Sequence, residues 1–172
     1  MYISLAELER HRIVANKTYA PGTLDYHGED FQQATPLDVG VTAELVGSEI
    51  RLRGNLKTRL RAQCDRCLTP IEIPVNRDFD VIYRQDTEIA RGRDEEIEVP
   101  KDELEVGFFS GDGVELNEIL AEQVILSVPM KVVCREDCKG LCPVCGADRN
   151  QVACRCESED RRSETSPFAS LK

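Results

Sequence analysis

The sequence predicts an α+β fold: an antiparallel β-sheet packed on one main helix, with a cysteine-rich zinc-knuckle lobe at the C-terminal end. Three observations predict it. Apolar and polar residues alternate from Leu37 to Ala62 and again from Ile71 to Tyr83, the period of strands with one buried face. The period becomes helical at Leu116, Ile119, Leu120 and Val124, which gives one apolar stripe. Six of the eight cysteines then crowd between Cys134 and Cys156.

Composition narrows the class of protein. At 172 residues, 41% hydrophobic and 31% charged, the chain suits one globular domain with a real core. Aromatic residues make up 5% and tryptophan is absent, so stacking platforms for single-stranded nucleic acid are not advertised. The formal charge of −10 means that any RNA contact needs a local basic patch. The N-terminus lacks the pattern of a secretory signal, and no apolar run reaches the ~20 residues of a membrane span. The expected setting is the reducing cytoplasm without membrane contact, where eight cysteines favour metal over disulfides.

Taken in order, Met1 to Arg12 admits either a short helix, with Ser4 as N-cap before Glu7, or a strand entering the sheet. Pro21-Gly22, Gly28 and Pro36 among polar residues suggest that residues 1–36 form an N-terminal arm. The sheet and helix domain follows, over 37–133. Val39, Val41 and Ala43 alternate with polar or small neighbours, and Gly47-Ser48 supplies a hairpin turn. The next strand sets Ile50, Leu52, Leu56, Leu60 and Ala62 against Arg51, Arg53, Lys57, Arg59 and Arg61, with a possible interruption at Gly54-Asn55. Including Arg66 and the single acid Asp65, this stretch carries +5 in a chain of −10, so the remainder carries −15. An ordinary solvated sheet face and a surface for RNA or an acidic partner are both open readings of Arg51, Arg53, Lys57, Arg59, Arg61 and Arg66.

Cys64-Asp-Arg-Cys67 ends that strand and places two thiols at a turn between strands. Gln85 to Glu98 is charged and aperiodic, and reads as a loop without assigned function. Glu103 to Phe109 fits one more strand, Gly111-Asp112-Gly113 a turn, and Val114 onward the helix, stopped by or just before Pro129. Its acids Glu115, Glu118 and Glu122 lie off the apolar stripe and suit the N-terminal dipole. Residues 157–172 form a polar tail with Phe168 and Leu171 near its end.

The cysteines carry the chemistry. Cys142-Pro-Val-Cys145-Gly146 is a knuckle in which two thiolates converge on one tetrahedral ion, with the glycine free to take a positive φ. The preferred partition places Cys142, Cys145, Cys154 and Cys156 around one zinc and Cys64, Cys67, Cys134 and Cys138 around another. A single ion shared by the two Cys-x-x-Cys pairs is the alternative, and an iron–sulfur cluster is a third use of the same ligands. A closed shell of four thiolates leaves no open position for water or substrate, so zinc would be structural. No phosphate loop, nucleophile elbow or His-Glu-x-x-His helix is present. No small-molecule substrate is expected, and thiol–disulfide or redox-sensing chemistry is the one enzyme-like alternative.

These residues resemble a known family, the YceD-like large ribosomal RNA subunit accumulation proteins of bacteria. The resemblance rests on Cys64-Asp-Arg-Cys-Leu68, on Ile125-Leu-Ser-Val-Pro129, on Cys138-Lys-Gly-Leu-Cys142-Pro-Val-Cys-Gly146, and on Ser166-Pro-Phe-Ala-Ser-Leu-Lys172. It implies a non-enzymatic role in the synthesis, processing or stability of large-subunit ribosomal RNA. Ribosomal RNA or a pre-ribosomal particle is then the expected partner. A basic ribosomal protein, with this chain as its adaptor or chaperone, is a further possibility that the acidic remainder suggests.

Overall fold

The computed structural model describes residues 1–86 and 106–156. Most of the expected loop at 85–98, the start of the expected strand at Glu103 and the tail from 157 lie outside the described residues. The chain divides into two compact units, one of Met1–Ala62 with Glu72–Met130, the other of Gln63–Ile71 with Lys131–Lys172.

The first unit is dominated by a sheet. Strand β2 (Ile13–Tyr19) pairs with β4 (Leu37–Val46), β4 with β5 (Glu49–Gln63), and β5 with β6 (Pro70–Gln85). Strand β7 (Val106–Phe109) closes the order on the far side, and β3 (Phe31–Gln33) pairs with the far end of β5. The hairpin between β4 and β5 turns at Gly47-Ser48, as the sequence predicts, with Val46 opposite Glu49. Leu37, Ile50, Leu52, Leu56 and Leu60 are completely buried. Each step of two along β5 returns an apolar side chain to that face, so strand register and core are fixed together.

Four features differ from the sequence expectations. Strand β5 runs unbroken through Gly54-Asn55. A Cβ on Gly54 would lie 2.3 Å from the Gly40 carbonyl oxygen and 2.7 Å from the Phe79 ring, so the glycine makes room for a neighbouring strand and a core aromatic instead of breaking the strand. The sheet is mixed rather than antiparallel, because β6 and β7 are parallel, with Ile82 opposite Val106. The chain between them is long enough for the crossover that parallel pairing requires.

Residues 1–36 are part of the folded unit rather than a separate arm. Strand β1 (Tyr2–Ser4) pairs with β8 (Gly113–Glu115) and buries Ile3. Leu24, Tyr26 and Phe31 are buried, and Gln33 donates through Nε2 to the carbonyls of Tyr19 and Thr35 at 2.9 Å. Both readings of the N-terminus hold in sequence, since Ser4 ends β1 and caps helix α1 (Leu5–Leu8), accepting from the Glu7 N–H. Finally, Val114 and Glu115 belong to β8, and helix α2 spans Leu116–Ile125. Glu115 is its N-cap, accepting from Asn117 N–H and from the N-terminal amine of Met1. Leu116, Ile119, Leu120 and Val124 form its buried face. No helix among the described residues is long and apolar enough to cross a membrane.

Candidate metal centres and the arginine strand

The second unit is built from two turns of the same design. In Cys64–Leu68 the Leu68 N–H donates to the Cys64 carbonyl at 2.9 Å, and the Cys64 N–H donates to the Thr69 carbonyl at 3.0 Å. In Cys142–Gly146 the Gly146 N–H donates to the Cys142 carbonyl at 2.9 Å, and the Cys142 N–H donates to the Ala147 carbonyl at 2.8 Å. The residue after each second cysteine takes a positive φ, 60° at Leu68 and 72° at Gly146. Leucine there carries a strain that glycine avoids.

Each turn brings its two sulfurs to two more. The sulfurs of Cys64, Cys67, Cys134 and Cys138 lie within 4.8 Å of one another, and so do those of Cys142, Cys145, Cys154 and Cys156. This is the preferred grouping, and the two Cys-x-x-Cys pairs do not share one centre. In the first group Cys64 and Cys138 are 3.9 Å apart and Cys67 and Cys134 3.7 Å apart. A tetrahedral zinc with Zn–S near 2.3 Å sets its sulfurs about 3.8 Å apart. The donor set and spacing therefore fit zinc, and four sulfurs per group close its shell.

The thiols are prepared for a cation. Burial pushes the Cys64 thiol up, but the backbone N–H groups of Cys134, Cys67 and Arg66 outweigh it and bring it down to about 6. The backbone N–H groups of Cys145 and Val144 bring Cys142 down to about 6 against its burial. Each group also holds a thiol that resists ionisation. Burial and the sulfurs of Cys138, Cys67 and Cys64 push Cys134 up to about 12, while the Cys145 sulfur and burial push Cys156 up to about 12. Four thiolates cannot coexist in so small a volume without a central positive charge.

The two groups differ in surroundings. Cys64, Cys67 and Cys138 are buried and pack with Val133 as a small core, whereas Cys145 and Cys156 are exposed and Cys154 is half-buried. The first group is also strapped from outside. Asp65 accepts from the Val132 N–H at 2.6 Å, and the Asp65 N–H donates to the Val132 carbonyl at 2.8 Å. Asn150 donates through Nδ2 to the Cys138 sulfur at 3.4 Å and accepts from Arg135 and the Lys139 N–H at 2.8 Å each. Sequence reasoning gave no role to Asn150. Its signal, a short amide between cysteine pairs, is too common to read without the fold. Asn150→Ala is expected to weaken zinc at the first centre by about 10–100-fold, the usual cost of losing a hydrogen bond to a ligand, measurable by competition with a chromogenic chelator.

The basic residues separate on folding. Arg51, Arg53, Lys57, Arg59 and Arg61 line the polar face of β5, but Arg66 lies beyond the strand and donates to the carbonyls of Glu136 and Cys138 at 3.1 and 2.8 Å. It holds the cysteine lobe together. On the strand, Arg51 makes two bonds to Asp80 at 2.8 and 2.7 Å, and Arg53 reaches the same carboxylate at 3.1 Å and Glu44 at 4.0 Å. Arg59 and Arg61 reach Glu72 at 3.4 and 3.9 Å. The hydrogen bond from Arg51 holds the Asp80 carboxyl below its ordinary range. Three carboxylates thus offset four guanidiniums. The sequence count of +5 missed this because the opposing acids lie on other strands.

The model of the family described as Large ribosomal RNA subunit accumulation protein YceD matches residues 52–172. An uncharacterized protein of Mycobacterium tuberculosis is 30% identical over 114 residues, covering 66% of this chain and 52% of that protein. A chloroplastic large ribosomal RNA subunit accumulation protein YCED homolog of Zea mays is 28% identical over 160 residues, covering 80% of this chain and 54% of its own. The Arabidopsis thaliana homolog is 24% identical over 173 residues, covering 84% and 51%. The chain spans about half the length of the curated relatives it matches. No solved structure matches it. With the family model covering most of the chain, from near the start of β5 through both cysteine groups, the chain belongs to the YceD family of large ribosomal RNA subunit accumulation proteins.

Proposed function

We propose that this protein is a non-enzymatic factor for the synthesis, processing or stability of large-subunit ribosomal RNA, acting on the RNA or a pre-ribosomal particle. Family membership is the observation that carries the reading. Two zinc ions, one per cysteine group, serve as structural staples. Zinc supplies a fixed charge that lets four thiolates coexist, and the Cys64–Cys67 and Cys142–Cys145 turns hold it. Closed shells support a role in binding over catalysis.

The test is depletion of the protein in growing cells, followed by quantification of large- and small-subunit ribosomal RNA. The expected result is a fall in the large-to-small ratio that the wild-type chain restores. An unchanged ratio contradicts the proposal. Co-purification with and without ribonuclease then separates RNA contact from a ribosomal protein partner.

A further inference from the structure

The two cysteine groups share a donor set and a turn design but not an exposure. In the first, Cys64, Cys67 and Cys138 are buried and Cys134 is exposed, whereas in the second Cys145 and Cys156 are both exposed, Cys154 is half-buried and Cys142 is buried. Oxidation of a thiolate follows its access to the oxidant. A disulfide then needs a second sulfur that is exposed as well, or one free to move to the first.

The first group offers neither. Cys67, 3.7 Å from the exposed Cys134 sulfur, belongs to the buried cluster of Cys64 and Cys138 against which Val133 packs. An S–S bond is only about 2.05 Å long, so the pair has to close the difference against that packing. Cys134 is also tied in place, its N–H donating to the Cys64 sulfur at 3.4 Å.

The second group offers both sulfurs at its surface. Those of Cys145 and Cys156 lie within 4.8 Å of each other, and the chain between them, residues 146–155, is long enough to close a ring. A hollow of about 90 Å³ lies beside them, lined by Cys142, Pro143, Val144, Arg149, Cys154 and Cys156. It exceeds the about 10–15 Å³ that a water-sized molecule requires. Hydrogen peroxide fits there.

We propose that Cys145 and Cys156 form an oxidative modification site, at which a peroxide makes a disulfide and the second zinc is given up while the first centre stays reduced and metal-bound. The inference rests on the two-zinc reading. One exposed thiolate attacks the peroxide O–O bond, giving a sulfenic acid and hydroxide, and the other thiolate attacks the sulfenic sulfur and displaces a second hydroxide. The two sulfurs thus lose two electrons, and the O–O bond is reduced by the same two. Only Cys142 and Cys154 remain as thiolate ligands, because a disulfide sulfur has lost the charge that binds metal. Added thiols reverse the step by exchange.

The test uses the full chain saturated with zinc, its metal content counted first by native mass spectrometry. Hydrogen peroxide is added while a chromogenic chelator reports free zinc, and samples are alkylated, digested with trypsin and mapped for disulfides. Cleavage after Arg149 and Arg155 places Cys145, Cys154 and Cys156 on three different peptides, and fragmentation tells Cys145 from Cys142. One zinc is expected to leave at least about tenfold faster than the other, in step with a Cys145–Cys156 bridge, and to return after reduction and added zinc. Cys145→Ser, which keeps all four sulfurs of the first centre, is expected to lose the fast phase. Fewer than two ions before peroxide would overturn the two-zinc reading and the inference together. With two ions present, release of both at one rate, a first disulfide between any other pair, no disulfide, or a fast phase that survives Cys145→Ser would overturn the inference alone and leave the zinc staples standing.

Discussion

Stripping metal from the zinc-loaded protein with a chelator is expected to unfold residues 64–69 and 131–156 while the sheet of β2, β4, β5, β6 and β7 stays folded. Among the described residues the buried side chains of the cysteine lobe are Cys64, Cys67 and Cys138, with Val133 against them, and Cys142, too little apolar surface to offset the ordering of so many residues. Among its described residues the lobe contains knuckle turns and one isolated bridge, Leu141 to Asp148. Structural zinc typically contributes about 10–16 kcal/mol to such a unit, more than any other interaction in it. The sheet has its own core of completely buried leucines and isoleucines. Hydrogen exchange should therefore show lost protection confined to the lobe, restored when zinc is returned. Protection that persists in a fully metal-free chain would mean that the turns hold without an ion. Acid acts in the same direction as the chelator, since protons compete with zinc for thiolates. In the metal-free chain the thiols that ionise first, Cys64 and Cys142, regain protons below about pH 6, and a bound cation moves that point lower.

Gly54→Val is expected to destabilise the sheet unit by about 3 kcal/mol, the upper part of the usual range for overpacking. The Cβ would stand 2.3 Å from the Gly40 carbonyl oxygen and 2.7 Å from the Phe79 ring. The ring can turn away, but the carbonyl belongs to the paired strand β4 and moves only with it. Phe79→Leu in the same chain should therefore rescue little. A thermal melt resolves this, because 3 kcal/mol corresponds to a fall of roughly 10 °C in Tm for a unit of this size. A fall of less than about 2 °C would show that β4 yields at Gly40 at little cost.

The strands that were legible are those whose periodicity is also their environment. Ile50 to Ala62 alternates in sequence because one face of β5 is buried and the other carries arginine. The knuckles were legible because each Cys-x-x-Cys turn is local, although Cys64 and Cys67 meet Cys134 and Cys138 only across some 70 residues of chain. The first 36 residues were not. Tyr26 and Gln33 make a buried 2.9 Å hydrogen bond that satisfies both polar groups, whereas in sequence a polar stretch with glycines resembles a loop. The parallel pairing of β7 depends on a long crossover, which local pattern does not encode. The charge balance around the arginines was not legible for a related reason. Asp80 and Glu72 are distant in sequence and meet them only when β6 lies beside β5.

The central structural claim is that the eight cysteines form two separate four-thiolate zinc centres, and a native mass spectrum of the freshly purified protein tests it most directly. The expected spectrum shows two zinc ions in the wild-type chain, one in Cys67→Ser, one in Cys145→Ser and none when both substitutions are combined. A single zinc in the wild type, lost with either substitution, would mean that the two knuckles share one ion and would contradict the account.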